Sequence, residues 1–410
     1  MAEGSGKAFG RYLRTLRERR GLSLDDVRSL SQTFPETLTK SYLSRCEHGH
    51  HKVALAKLIP LSRIYEVPAE ALLERIELDL ELDRLGGPET EGKSFAELAD
   101  AAKDMSERGF QWEAYACARD AVARAPLSPV RDRYRDLAEQ VAVATLNAAT
   151  MAGGLGRNRF ALHESLCVLH SKSVTAINHA RVCDRIATIY RKLRQLDLAE
   201  EFAVQAISGA EASDDRVGLA YMYGTRARIA AVRPDPRAAV IFLHKSYSLH
   251  REAGHLENMA IALVSIAECY LDMRRIRSAR RASEAALRSL ADHPRSHARA
   301  AALSVMGKVM EAEGRFDYAI SVWHEAASLA RDYKDRVLRF KIDLSLLRRA
   351  MSSDDEPSAR AIRRRLRKLA PWIPQEVEEL TQYRDLVRSE TQGSADSVAT
   401  LQRGVFPDCN

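Results

Sequence analysis

No run of about 18 apolar residues occurs in this 410-residue chain, so nothing in it reads as membrane-spanning. The N-terminus shows no apolar export signal, and a soluble, cytoplasmic protein is expected. Cysteine is scarce and scattered, at 46, 117, 167, 183, 269 and 409, with no Cys-x-x-Cys. That spacing argues against a redox pair and for reduced thiols, mostly buried. Aromatic residues make up only 6% of the chain. Catalytic signatures are missing as well: there is no His-Glu-x-x-His, no Gly-x-x-x-x-Gly-Lys and no Gly-x-Ser-x-Gly. "GGLGRN" at 153–158 follows no strand pattern, so it reads as a turn between helices rather than a phosphate loop. His163, His170, His244 and His250 read as packing or surface histidines. No acid, base or metal constellation stands out, and the expectation is a non-enzyme with no cofactor and no metal.

What is present favours helix. Hydrophobic residues are 46% and charged residues 29%, and alanine, leucine and arginine are prominent. The length implies two or more folded units. The net charge of +7 is local: residues 1–63 hold twelve Lys/Arg against six Asp/Glu. A basic excess confined to one end suits a DNA-contacting module.

Phe9, Tyr12, Leu13 and Leu16 form an i, i+3, i+4, i+7 stripe that ends at "RERRG". Ser23 caps a second helix with Asp25 and Asp26 in its first turn and Leu24, Val27 and Leu30 as its inner face. A turn with Pro35 follows. Thr39 caps "KSYLSRCE", where Leu43 and Cys46 point inward and Lys40, Ser41 and Arg45 outward. "VALAKLIPLSRIY" and "PAEALLERI" supply two more short helices. "CEHGHH" (46–51) collects metal-ligand letters, but Cys46 belongs to the inner face, and Glu47 and Gly49 end the helix in the left-handed conformation glycine allows. His48, His50 and His51 remain in the following loop.

These residues resemble the XRE (Cro/C1) helix-turn-helix family over 8–76. The motifs occur in order: Arg-x-x-x-Gly-Leu-Ser, Ser-x-x-Glu-x-Gly and a closing Val-x-x-x-x-Leu. The link between the second and third helices is about five residues longer than the family norm. The resemblance implies a recognition helix over 39–46. Thr39 then meets a phosphate, Lys40, Ser41 and Arg45 face base edges, and Ser44 joins the DNA-contacting set. Ser23 and Lys52 would meet the phosphate backbone.

From Phe95 onward, Ala-rich amphipathic segments recur. Ala187, Tyr190, Ala199 and Ala206 are followed 40 residues on by Ala227, Ala230, Ala239 and Ser246. Ala267, Tyr270, Ala279 and Ala286 come next, then Gly307, Met310, Ala319 and Ala326. Ala102, Met105, Ala114 and Ala121 fit an earlier unit, 127–175 holds a degenerate pair, and Ala359 marks a last one. Small residues at such positions let two helices cross closely, and the pattern resembles tetratricopeptide repeats. Six or seven helix pairs are expected, then a capping helix near 375–389. The fold class expected is all-α: a five-helix helix-turn-helix domain (1–80), a linker (81–94), a right-handed tetratricopeptide α-solenoid (95–389) and a disordered tail (390–410). The resemblance implies a groove lined by Arg181, Asp184, Thr188, Arg191, Tyr221, Arg228, Glu268, Asp272 and Lys308. "RAIRRRLRKLAPW" (360–372) reads as a solvated outer helix, and Trp112, Trp323 and Trp372 as gap fillers.

A helix-turn-helix head on a tetratricopeptide body resembles the RRNPP group of peptide-sensing regulators (Rgg-, PlcR- and PrgX-like). That architecture implies a homodimeric transcription regulator with a double-stranded DNA operator and a peptide or other small ligand, in quorum sensing. Asn147, Asn178 and Asn258 are the candidates for the asparagines by which that group clamps a peptide backbone. The flexible joint is expected at 84–94. The alternative is a tetratricopeptide scaffold that recruits a protein partner, with the head localising it to DNA.

Overall fold

A computed structural model describes residues 5–107, 110–125, 135–171, 174–373 and 377–389. The expected tail, 390–410, and part of the degenerate pair lie outside the described residues. Among the described residues the fold is all-α: helices joined by short turns, with no strand. No described helix is long and apolar enough to cross a membrane. Contacts divide the chain into two compact units, Met1–Met273 and Arg274–Asn410.

The first unit begins with the five-helix head: α1 (Ser5–Arg19), α2 (Leu24–Ser31), α3 (Lys40–Glu47), α4 (Leu55–Tyr65) and α5 (Ala69–Leu85). Phe9, Tyr12, Leu13 and Leu16 are buried, as the stripe requires. Leu30, expected on the inner face of α2, is 47% exposed instead. Val27 is buried as expected, and Ser31 turns inward in place of Leu30. The buried Ser31 hydroxyl donates to Arg28 O (2.7 Å) and accepts from Leu38 N (2.9 Å), which tethers the long α2–α3 link and fixes the rotation of α2. Gly49 takes φ +73°, the left-handed turn that ends α3.

α5 runs to Leu85, five residues into the segment expected as linker. Beyond it, Thr90 donates to Asp120 (2.6 Å), and the Arg124 guanidinium donates to the carbonyls of Thr90 and Lys93. The segment is therefore tied to the body rather than free. One core joins Phe9, Leu13 and Leu72 of the head to Tyr115 and Phe160 of the body. The polar seam of this junction is also buried. Glu164 accepts from Tyr12 OH (2.9 Å) and from Arg19 (3.1 Å). Burial works to raise the Glu164 pKa, but Arg19, then His163 and the Tyr12 bond, hold it below the usual carboxylate range. A depressed folded pKa gives stability that is present above the unfolded value, about 4.3, and is lost as pH falls through the folded value. Glu164→Gln should therefore be less stable than wild type at pH 7, with the deficit shrinking in acid. Urea midpoints measured between pH 3 and 7 check this, and a constant deficit would count against it.

The body of the first unit comprises α6 (Phe95–Glu107), α7 (Gln111–Arg124), α8 (Arg135–Gly154), α9 (Asn158–Leu169), α10 (Ala176–Lys192), α11 (Leu196–Ala212), α12 (Arg216–Val232), α13 (Pro236–Glu252) and α14 (Leu256–Asp272). Successive pairs from α6/α7 to α12/α13 pack as hairpins. Ala102, Ala114, Ala121, Ala187, Ala199, Ala206, Ala227, Ala239 and Ser246 are all buried where helices cross. The α8/α9 hairpin is the degenerate pair.

The second unit comprises α15 (Ile276–Ser289), α16 (His297–Ala312), α17 (Phe316–Asp332), α18 (Arg336–Ser352) and α19 (Glu356–Leu369), then a 3-10 turn (Ala370–Trp372) and a helix over 378–389. From α11 to α19, every second helix of a repeat starts 40 residues after the last: Leu196, Pro236, Ile276, Phe316 and Glu356. The repeat carrying Ala267 and Ala279 thus has its two helices in different units. Gly307 is required by its neighbour: a Cβ there would sit 2.2 Å from Trp323 Nε1, which donates to Ser304 O at 3.0 Å. Trp323 is fully buried, whereas Trp372 is 40% exposed beneath Arg336 and fills no gap. The helix over 378–389 caps this unit, with Tyr383 edge-on to Phe340 at 5.6 Å.

Candidate nucleic-acid interface and repeat face

α3 is amphipathic because its two faces answer to different partners. Tyr42, Leu43, Cys46 and Glu47 are buried, while Thr39, Lys40, Ser41 and Arg45 are exposed and Ser44 is half-buried. The Thr39 side chain caps the helix, accepting from Tyr42 N at 3.2 Å. Ser23 caps α2 in a reciprocal box with Asp26: Asp26 N donates to Ser23 Oγ (3.1 Å), and Ser23 N donates to Asp26 Oδ2 (2.7 Å). Both N-termini present backbone N–H groups at the surface, a geometry that favours phosphate. Lys40 rests on Asp25 at 2.7 Å, both well exposed. Such surface pairs contribute little, so Lys40 is free to exchange Asp25 for another anion. Arg45 folds back on Ser41 O (3.3 Å), and Lys52 is exposed in the loop.

Two positions that anchor this face were not singled out in the sequence. Tyr42 accepts from Ala54 N (3.0 Å) and lies under Lys57 Nζ (4.6 Å), which pins the loop after α3. Arg17 grips Glu47 with two bonds, Nε–Oε1 at 2.7 Å and NH2–Oε2 at 2.9 Å, and donates to Leu22 O at 2.8 Å. These are the arginine and glutamate of the two head motifs. The only signal in the sequence was their place in those motifs, since 30 residues separate them. Cys46 is buried, and burial pushes its thiol pKa up. The loop histidines are exposed: His48 stacks on His50 (6.2 Å) and His51 meets Tyr42 edge-on (5.6 Å). Among the described residues no group of three or more His, Cys, Asp or Glu converges to hold a metal.

The expected ligand residues are spread along the first helices of the repeats. Arg181 is exposed and paired with Asp215 at 3.0 Å. Asp184 is 3% exposed, so it lies beneath the face rather than on it. Thr188 Oγ1 faces Thr225 Oγ1 across α10 and α12 at 3.4 Å. Arg191 is half-buried, and Arg228 reaches solvent while donating to Thr225 Oγ1 at 3.2 Å. Tyr221, 38% exposed, accepts from Asn258 Nδ2 at 2.7 Å and packs edge-on to the buried His250. Glu268 and Asp272 are exposed on α14. Lys308 lies on α16, in the second unit. Of the three candidate asparagines, Asn178 donates to Glu139 (2.7 Å), Asn258 donates to Tyr221, and Asn147 is exposed.

Residues 8–76 match the family model of a helix-turn-helix domain. No curated protein sequence matches the chain. Among solved structures it is similar to PlcR of Bacillus thuringiensis in complex with the peptide PapR7 and DNA, at 12% identity over 76% of this chain and 99% of that one, with a TM-score of 0.42. It is also similar to a Rap protein complexed with Competence and Sporulation Factor, at 16% identity over 78% of this chain and 98% of that one, with a TM-score of 0.46. A third is aspartyl phosphate phosphatase F from Bacillus subtilis, at 13% identity, covering 90% and 94%, with a TM-score of 0.41.

Proposed function

We propose that this chain is a sequence-specific DNA-binding transcription regulator whose repeat body senses a peptide or other small ligand and controls the geometry of a homodimer. The observation that carries the reading is α3: a capped helix inside the matched helix-turn-helix domain, with Lys40, Ser41, Ser44 and Arg45 on its outer side. Arginine and lysine suit guanine edges in the major groove, and serine suits either base. Ser23, Thr39 and Lys52 serve as phosphate contacts that set register. Leu55 and Ile59, one turn apart on α4 and 72% and 55% exposed, support a second copy as partner of the head. In a dimer, half-site spacing is geometric, so a ligand regulates by binding two dimer arrangements with different affinity.

The test starts from the full chain and selection from random duplex DNA. Enrichment of a two-fold motif is expected. Arg45→Ala should then relax specificity at one base position by about 1–3 kcal/mol. Lys52→Ala should weaken all sequences alike and reduce the salt slope by about 1. A pool with no enriched motif, or binding indifferent to both variants, would sink the proposal.

A further inference from the structure

Buried arginines in the first unit are answered by carboxylates. Arg17 has Glu47, and Arg75 and Arg119 share Asp79. The half-buried Arg191, on the face shared by α10 and α12, breaks this habit, and the solvent-reaching Arg228 stands on the same face. Arg191 has no hydrogen-bond or ion-pair partner among the described residues, and its Nε is buried. Arg228, on the next first helix, bonds only Thr225 Oγ1. Arg194 adds positive charge beside Arg191, and Arg185 beside Arg228. Among the described residues the carboxylate that acts on Arg228 is Asp184, which is buried, leaves Oδ1 without a partner and forms no ion pair with it. Burial first, then Arg228 and Arg194, lowers Arg191 to about 10. Arg191 and Arg228 each stand three residues after the Thr188–Thr225 contact (3.4 Å), so two guanidinium groups share this face with no carboxylate bonded to either among the described residues.

We propose that Arg191 and Arg228 form a carboxylate subsite that takes the C-terminal carboxylate of a peptide lying along the repeat face. This rests on the ligand-sensing reading above. The guanidinium fork matches a planar carboxylate, and two of them bracket it with charge-assisted bonds. The Thr188 and Thr225 hydroxyls lie alongside. Tyr221 and the Asn258 carboxamide, whose Oδ1 has no partner among the described residues, continue the polar strip toward the next repeat. A peptide can contact both the arginines and this strip, whereas a free phosphate fills only the arginine pair. In the unliganded chain the two arginines repel, so the subsite is kept at a cost to stability that an anion removes.

The experiment uses the full chain and a pool of random heptapeptides, made once with a free C-terminal carboxylate and once amidated. Peptides retained from the free-acid pool should lose about 10- to 100-fold in affinity on amidation. Arg191→Gln and Arg228→Gln should each lower the affinity for the acid to that for the amide and leave the amide unchanged. Without ligand, Arg191→Gln should melt at or above the wild-type temperature, since it removes an unpaired charge, whereas an arginine with a purely structural role would melt lower when replaced. Equal binding of acid and amide overturns the subsite and leaves peptide sensing standing. If no peptide binds but inorganic phosphate raises the melting temperature of wild type and not of the variants, the pair holds phosphate and the peptide assignment falls. If nothing binds and both variants melt lower, subsite and peptide sensing fall together.

Discussion

Asp79→Ala should destabilise the chain by about 3–5 kcal/mol, because it leaves the Arg75 guanidinium buried without an anion and takes from Arg119 one of its two carboxylates. Asp79 is fully buried, accepting from Arg75 Nε at 2.9 Å and from Arg119 NH1 at 2.9 Å. Arg75 also lies over the rings of Tyr12 (4.7 Å) and Phe160 (5.6 Å), so one carboxylate orders side chains from α1, α5, α7 and α9. Arg119 is fixed in turn by Asp120 at 2.8 Å. The loss reflects breaking the network rather than the net worth of the ions. Replacing Asp79 and Arg75 together by leucine and methionine should therefore recover much of it, since Arg119 keeps Asp120. Urea unfolding followed by circular dichroism measures both. A single variant that unfolds with the wild-type midpoint would show that water or rearrangement satisfies the arginines, contrary to this account.

The second large effect is expected at Arg17→Ala. It strands the Glu47 carboxylate, whose side chain is 5% exposed, and also removes the bond to Leu22 O. A loss of about 3–5 kcal/mol is expected, as for other buried pairs broken on one side. Because Glu47 closes α3 and Leu22 opens the turn to α2, the end of α3 should loosen with it. DNA affinity should then fall even where the chain remains folded. Arg17→Lys should rescue little, since an ammonium cannot repeat the two-pronged bond. Amide exchange across α3 in the two variants, beside their DNA affinity, separates local loosening from global unfolding. Exchange unchanged in Arg17→Ala would contradict the anchoring role.

Much of this architecture was legible because its demands are local or periodic. Helices that cross closely require small residues, and Ala187, Ala227 and Ala267 recur at the interval at which the helices recur. The outward side of α3 followed from 3.6-residue periodicity alone. Partner choice was not legible. Arg17 and Glu47 are 30 residues apart, Tyr12 and Glu164 are 152 apart, and Asp79 and Arg119 are 40 apart. A sequence shows that charges exist; only tertiary apposition pairs them. Asp184 illustrates a related limit. Its register points it toward the repeat face, but a short side chain ends below the surface where a longer one emerges. Leu30 failed for another reason: the Ser31 tether sets the rotation of an eight-residue helix that hydrophobicity alone would have turned differently.

α5 belongs to two cores at once. Its residues pack with α1 on one side and with α9 on the other, and the seam between them is closed by Glu164 and Asp79. The helix proposed to read DNA is accordingly keyed to the first repeats like a pointer fixed on its spindle. Rotation of those repeats would carry α5 with it, and through α1 the helix α3.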